Sequence, residues 1–215
     1  MKPARTLIVS AIFVLIAVVV AVWLYPRLPV RVPIRWNAEG QASAYASSFW
    51  GAAMPALAIL ALAVLTVVLP AISPRRFAIT PFAAIYGIVM LAIQGAILVI
   101  GMASLLGSAG YALPVPTIVM LAVGALLMVL GNYLGKLRKN FFIGIRTPWT
   151  LSSDAVWERT HRLGGRLFVL AGAVIVIATL AGAAPWVAIA AIVAAGLIPA
   201  AYSLWIYRSI GRSAD

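Results

Sequence analysis

Cysteine is absent from this sequence, and histidine and acidic residues are scarce. The chain has one histidine, His161, and four acids, Glu39, Asp154, Glu158 and Asp215, among its 215 residues. The lack of cysteine excludes disulfides, thiol nucleophiles and thiolate metal sites. The histidine and the four acids leave little for a metal site, so we expect neither a metal nor a cofactor.

Charge is also scarce, and hydrophobic residues take its place. Charged residues make up 9% of the chain and hydrophobic residues 65%, whereas soluble domains carry about 25% charged residues. A membrane-spanning helix needs about 20 apolar residues. Six such runs are present, at residues 6–25, 51–72, 82–106, 115–133, 165–183 and 186–207. The sequence therefore predicts an all-α integral membrane protein with six transmembrane helices.

Basic residues are distributed unevenly between the two sides of this arrangement. With the N-terminus inside, thirteen of the sixteen Lys and Arg residues fall in cytoplasmic segments and three in the first outer loop. Cytoplasmic loops of membrane proteins carry an excess of Lys and Arg. We therefore predict that both termini are cytoplasmic. The net charge of +12 then reflects membrane topology rather than direct binding of nucleic acid.

The spans divide the chain into three predicted parts. Residues 1–72 form an N-terminal two-helix unit with an outer extended loop at residues 26–50. Residues 73–114 hold the third helix and its flanking loops. Residues 115–215 hold helices four to six and a cytoplasmic stretch at residues 132–165.

The first outer loop alternates arginine or proline with apolar residues over positions 27–36. This period of two predicts an extended backbone, and its prolines exclude a helix. We interpret it as a segment lying along the outer interface, followed by a turn at residues 37–40. It is either a tether between two helices or a platform for an anionic head group or acidic ligand. The candidate residues of this loop are Arg31, Arg35, Trp36, Asn37, Glu39 and Gly40.

The centres of the six spans contain no Asp, Glu, Lys, Arg or His. Proton-driven pumps and ion carriers usually need such groups at the membrane midplane, which argues against a proton-coupled transporter. The most central polar amide is Gln94. We expect it to bond a neighbouring helix in preference to a substrate.

The cytoplasmic stretch holds nearly half of the charge and the only histidine. Gly144 permits a close turn in an apolar segment, and Ser152 or Ser153 can cap a new helix. Within that helix Trp157 and His161 are four residues apart and share a face. Glu158 and Arg162 have the same spacing, in the order that favours an ion pair.

His161 is the one candidate for acid–base chemistry in this stretch. A catalytic histidine needs an orienting carboxylate and a nucleophile, and the hydroxyls and carboxylates nearby follow no known catalytic spacing. We expect His161 to stack near Trp157 with local hydrogen bonds, and we predict that the protein is not an enzyme.

Residues 132–161 resemble the SdpI family of membrane immunity proteins. The shared pattern is an Asn-aromatic pair, a basic cluster, a second Asn-aromatic pair, G-I-R-T-P-W-T-L, and V-W with T-H at the end. The candidates that this resemblance supplies are Asn132, Lys136, Asn140, Gly144, Arg146, Thr147, Pro148, Trp149, Trp157 and His161.

The first outer loop is similar to a second domain, of unknown function, that is often fused to SdpI. Its pattern of Pro, His, aromatic, Asn and Gly corresponds to residues 33–40 here. Arg35 stands where that domain usually has histidine, and Ser47 and Ser48 occupy the region of a common lysine. A role tied to that histidine or lysine therefore does not carry over.

The resemblance implies a multi-pass protein of the bacterial cytoplasmic membrane that confers immunity to a secreted peptide, the sporulation-delaying toxin. It also implies a second partner, a transcriptional repressor held at the membrane on the inner side. Three alternatives to immunity stay open: a signalling receptor, a transporter of a small molecule or lipid, and, least favoured, a membrane enzyme.

Overall fold

The computed structural model describes residues 3–37 and 41–212. Within them lie seven α-helices: α1 Pro3–Leu24, α2 Ser48–Ile72, α3 Ala83–Ser108, α4 Val115–Leu134, α5 Pro148–Ser152, α6 Asp154–Leu180 and α7 Trp186–Arg212. All except the short α5 are long and apolar enough to cross a membrane. The predicted all-α membrane fold with six spans is confirmed, and the chain is a multi-pass membrane protein.

An antiparallel β-hairpin lies between α1 and α2. Its strands are β1, Arg31–Trp36, and β2, Ala42–Ser47. The extended backbone predicted for β1 is confirmed. The prediction was wrong for Arg27, which belongs to a 3₁₀ turn, Tyr25–Arg27, at the end of α1. Proline at the first or second position of this turn suits a helical start.

The turn of the hairpin starts at Asn37. Its Oδ1 accepts the backbone N–H of Gln41 at 2.8 Å, and its own N–H donates to the Gln41 carbonyl at 2.9 Å. These bonds hold the strand ends together. Glu39 and Gly40, which the sequence analysis placed in this turn, lie outside the described residues.

The alternating residues of β1 do not form one apolar face and one charged face. Val32 is buried at 1% exposure, whereas Val30 just before the strand is 84% exposed and Ile34 is 38% exposed. The strand pairing is irregular between Pro33 and Arg35, and such a bulge breaks the alternation. The predicted apolar edge is therefore replaced by a single buried anchor, Val32.

Two groups of helices make up the bundle. α1, α2 and α3 pack against one another, α3 also contacts α4, α4 packs against α6, and α6 against α7. Val32 joins the first group through a buried cluster that contains Leu24 of α1, Ala52 of α2 and Leu105 of α3. The hairpin is thus held against the ends of these three helices.

The backbones of α4 and α6 approach closely at two pairs of glycines. A Cβ on Gly131 would lie 2.6 Å from the Gly165 carbonyl oxygen, and one on Gly124 would lie 3.0 Å from the Gly172 carbonyl oxygen. Small residues allow this approach between membrane helices. α6 runs without a break from Asp154 to Leu180, so the helix predicted after Ser153 and the fifth predicted span form one helix.

Gln94 lies inside the first helix group and is fully buried. Among the described residues neither of its amide atoms has a hydrogen-bond partner. The prediction that Gln94 bonds a neighbouring helix is therefore wrong.

Candidate functional site

The residues of the SdpI-like pattern converge at one end of the bundle. α4 ends there, the loop at residues 135–147 follows, and α5 and the start of α6 close the arrangement. We call the central residues Asn140, Gly144, Thr147, Trp157 and His161 the motif cluster. Three of them, Asn140, Trp157 and His161, are at most 1% exposed.

Asn140 folds the loop around its own side chain. Its Oδ1 accepts the N–H groups of Phe142 and Ile143, both at 2.8 Å. Its Nδ2 donates to the carbonyls of Arg138 at 2.8 Å and Ile143 at 3.1 Å. A buried amide with all four hydrogen bonds satisfied is a stabilising element, so Asn140 fixes the path of the loop.

Gly144 brings the loop into contact with α6. Its φ is +114°, a conformation that side-chain-bearing residues rarely adopt. A Cβ at this position would lie 2.5 Å from His161 Nε2 and 3.3 Å from Cη2 of Trp157. The turn expected at Gly144 is present, and both the backbone conformation and the space require glycine.

His161 is held by the backbone on both sides of its ring. The N–H of Ile145 donates to Nε2 at 3.0 Å, and Nδ1 lies 2.8 Å from the Trp157 carbonyl oxygen. Nε2 must therefore be unprotonated while Nδ1 carries the hydrogen, which is a neutral imidazole. The Nε2 bond links the loop to α6, and the Nδ1 bond fixes the ring against its own helix.

Trp157 packs beneath His161 as predicted. The two rings are 3.9 Å apart and inclined by 21°. The indole Nε1 donates to the Leu137 carbonyl at 2.8 Å. Trp157 thus ties α6 to the segment that follows α4, and the predicted stacked, locally bonded histidine is confirmed.

Thr147 caps α5 and reaches α7. Thr147 Oγ1 accepts the N–H of Thr150 at 3.2 Å, and Thr150 Oγ1 accepts the N–H of Thr147 at 2.9 Å, forming a capping box. Thr147 Oγ1 is also 3.0 Å from Ser203 Oγ in α7. Pro148 occupies the first turn of α5, where its missing N–H costs nothing.

The motif cluster also packs against α3. Trp157, Leu134 and Leu137 share one buried hydrophobic cluster with Phe82 and Tyr86, which precede and begin α3. This contact joins the two helix groups at the end where the motif cluster lies.

The remaining pattern residues form the exposed rim of the cluster. Asn132, Lys136, Arg146 and Pro148 are exposed, and Trp149 is half-buried. Arg146 Nη1 donates to the Phe141 carbonyl. This bond closes the loop on its exposed side by joining two positions five residues apart. Lys136 Nζ lies 4.9 Å from the Tyr133 ring centroid.

Two ion pairs cross this rim. Arg138 Nη1 is 3.7 Å from Glu158 Oε1, and Lys139 pairs with Asp154. Glu158 therefore pairs with the loop rather than with Arg162 on its own helix, so that prediction was wrong. The Arg138–Glu158 pair is largely exposed and contributes little to stability.

The outer-loop candidates lie at the opposite end of the bundle, so the structure does not bring the two candidate sets together. Arg31 and Arg35 are exposed on β1, and Asn37 is exposed at the start of the turn. Trp36 is the last residue of β1.

Three partners of the motif cluster were not predicted from the sequence. Ile145 and Leu137 contribute only backbone groups, which no side-chain pattern reveals. Ser203 is distant in sequence and lies in a hydrophobic helix. Its one signal in the sequence was a hydroxyl side chain within an apolar run, and the structure shows this side chain buried. In the described residues no group of three or more His, Cys, Asp or Glu could hold a metal ion.

Comparisons with known proteins match both halves of the chain. Residues 136–203 match the SdpI/YfhL protein family, and residues 12–60 match a domain of unknown function, DUF1648. The chain is 34% identical over 79 residues to Immunity protein SdpI of Bacillus subtilis (strain 168). That alignment covers 37% of this chain and 38% of the relative. No solved structure matches the chain.

Each matched segment contains one of the two sets of candidate residues. The first contains the motif cluster, although it begins after Asn132, and the second contains β1 and β2. Together with the six apolar helices, they identify a multi-pass protein of a bacterial cell membrane. The resemblance predicted from the sequence is confirmed as a match: residues 136–203 match the SdpI/YfhL family, and residues 12–60 match DUF1648.

Proposed function

We propose that this chain is a non-enzymatic membrane immunity protein that protects the cell from a secreted antimicrobial peptide. The observation that carries the proposal is the family match at residues 136–203, which includes Asn140, Gly144, Trp157 and His161. The 34% identity to Immunity protein SdpI over 79 residues supports it. Because the alignment covers 38% of that relative, the activity of the whole chain is inferred from this part.

The geometry of His161 supports a structural rather than catalytic role. Both ring nitrogens are engaged by backbone groups of Ile145 and Trp157, and the side chain is fully buried. A general base must reach the proton that it removes, and here no lone pair of the ring faces an open space. The motif cluster acts as a brace that holds α4, α6 and α7 in fixed positions.

The proposal places the hairpin outside the cell and the motif cluster inside it. The hairpin and the nearby helix ends would then contact the peptide. The brace would keep α4, α6 and α7 in position during that contact. The uneven distribution of basic residues supports this orientation. In the same orientation, the exposed basic rim would be the surface available to a regulatory protein such as a repressor.

Survival of cells exposed to the toxin tests the proposal. We expect the wild-type chain, expressed in a sensitive bacterium, to raise survival in the presence of the sporulation-delaying peptide. Arg146→Ala should reduce protection at equal membrane abundance, because Arg146 closes the loop through the Phe141 carbonyl.

The matched control is Arg159→Ala. Arg159 is exposed near the start of α6, so the two variants remove the same charge from the same end of the bundle. Equal loss in both variants would show that charge, not loop closure, matters. No protection by an abundant wild-type chain would contradict the immunity proposal.

A further inference from the structure

A cavity of about 620 Å³ lies at the hairpin end of the bundle. Its walls come from both helix groups, for example from Ile100 of α3, Met120 of α4 and Ile189 of α7. Arg35 and Asn37 of the hairpin also line it, and both are exposed, so they mark its open side. The cavity therefore combines an apolar interior with a polar, cationic entrance.

Among the described residues, the charge at the entrance is only positive. Arg35 is the one charged residue among the described residues that line the cavity, and it forms no ion pair with any of them. Asp154 and Glu158 are the acids that the structure describes, and both belong to the opposite end of the bundle. Glu39 falls outside the described residues. The entrance thus favours an anionic group.

Arg35 differs in this respect from the first arginine of the loop. Arg27 Nη1 donates to the Tyr111 hydroxyl at 2.9 Å, and its guanidinium lies 5.1 Å from the Trp23 ring centroid. Arg27 is therefore occupied by protein groups. Arg31 is exposed but does not line the cavity.

The size of the cavity limits what can enter it. An α-helix with side chains has a diameter of about 10 Å and a pitch of 5.4 Å, so one turn fills roughly 400 Å³. The cavity would hold little more than one turn of a helical peptide. A flexible acyl chain can fill such a space without folding.

We propose that this cavity binds one phospholipid with an anionic head group. An acyl chain lies between α4, α6 and α7, and the phosphate lies against the guanidinium of Arg35, which suits phosphate oxygens because its N–H groups form a planar fork. This site is independent of the immunity proposal, because it depends on the cavity and its charge alone.

Native mass spectrometry of the purified full chain tests the site, with equal amounts of phosphatidylglycerol and phosphatidylcholine added. We expect wild-type protein to retain phosphatidylglycerol preferentially. Arg35→Gln should lower that preference about fivefold, the effect of one basic residue near an anionic membrane surface. Arg31→Gln, which removes the same charge from the same strand, should leave the preference unchanged.

A second pair of variants tests the apolar interior. Ala184 lines the cavity and is exposed in the connection between α6 and α7, whereas Ala181 is exposed nearby but does not line it. Ala184→Trp should reduce retention of both lipids, and Ala181→Trp should not. Size-exclusion profiles of all variants check folding, and Arg35→Lys, which keeps the charge but loses the fork, should give an intermediate preference.

Three results would overturn the proposal. The first is equal retention of the two lipids by the wild-type protein. The second is the same effect for Arg31→Gln as for Arg35→Gln. The third is displacement of the lipid by an uncharged helical peptide added in the same experiment, which would make a peptide the occupant.

Discussion

At the scale of single residues, the motif cluster is a set of polar side chains that serve the backbone. Asn140 satisfies four backbone groups of its own loop. His161 links the loop to α6 through Ile145, and its other nitrogen bonds the Trp157 carbonyl within α6. Buried backbone groups without partners are costly. These side chains therefore allow an irregular loop to pack against membrane helices.

Gly144 provides the sharpest residue-level prediction. We expect Gly144→Ala to lower the free energy of unfolding by about 1–3 kcal/mol, because a side chain at positive φ is strained and its Cβ would press on His161 Nε2. The melting temperature of the purified protein in detergent, followed by circular dichroism, measures the effect.

The control for this variant is Gly135→Ala. Gly135 follows α4 with a φ of −69°, and the nearest atom to an added Cβ would lie 3.6 Å away. Its substitution should leave the melting temperature close to that of the wild type. Equal melting of the Gly144→Ala and wild-type proteins would show that the loop can relax around a side chain.

At the scale of elements, the contact between α4 and α6 organises the C-terminal half of the chain. Gly124 and Gly131 in α4 are seven residues apart, as are Gly165 and Gly172 in α6, so each pair lies on one helix face. Because the backbones touch there, α4 and α6 position the two flanks of the motif cluster.

Gly131→Ala tests this helix contact. The added Cβ would lie 2.6 Å from the Gly165 carbonyl oxygen and 2.7 Å from the Val169 nitrogen, and neither backbone atom can move independently. We expect a loss of about 1–3 kcal/mol in stability, as for other overpacked sites, measured by thermal unfolding in detergent.

Gly196→Ala is the matched substitution in α7. Nothing lies within 4 Å of an added Cβ at that position, and alanine favours a helix over glycine. The Gly196→Ala protein should therefore melt at or above the wild-type temperature. A similar decrease in both variants would contradict a specific contact between α4 and α6.

At the scale of the whole molecule, the bundle has two chemically different ends. One end holds the motif cluster with its basic rim and two ion pairs. The other holds the hairpin, which is fixed to the helices by Val32, and the cavity with Arg35 at its mouth. One matched segment of the chain contains the motif cluster, and the other contains the hairpin.

The lack of native cysteine makes the predicted orientation directly testable. Ala112 lies between α3 and α4 at the hairpin end, and Ala155 lies at the start of α6 at the other end; both are exposed. A membrane-impermeant maleimide should label Ala112→Cys in intact cells. It should label Ala155→Cys only after the membrane is permeabilised.

The two single-cysteine variants serve as controls for each other. The cysteine-free wild-type chain reports background labelling. The reverse pattern, with Ala155→Cys labelled in intact cells, would place the motif cluster outside and the hairpin inside. That outcome would contradict the orientation used in the proposed function.

The sequence by itself determined that this is a membrane protein, how many spans it has and which family residues 132–161 resemble. Hydropathy and local turn chemistry depend on neighbours in sequence. They therefore predicted six membrane-spanning helices, the turn at Gly144, a helix cap at Ser152 or Ser153 and the stacking of Trp157 with His161. An extended β1 followed from its alternation and prolines in the same way.

The tertiary structure alone decided which distant groups meet. Ser203 reaches Thr147 because α7 returns to the same end of the bundle. Glu158 pairs with Arg138 because the loop folds over α6. The bulge in β1 and the buried, unpartnered Gln94 likewise depend on packing between separate elements. Periodicity records which face of an element is apolar, whereas partners are set by the positions of whole helices.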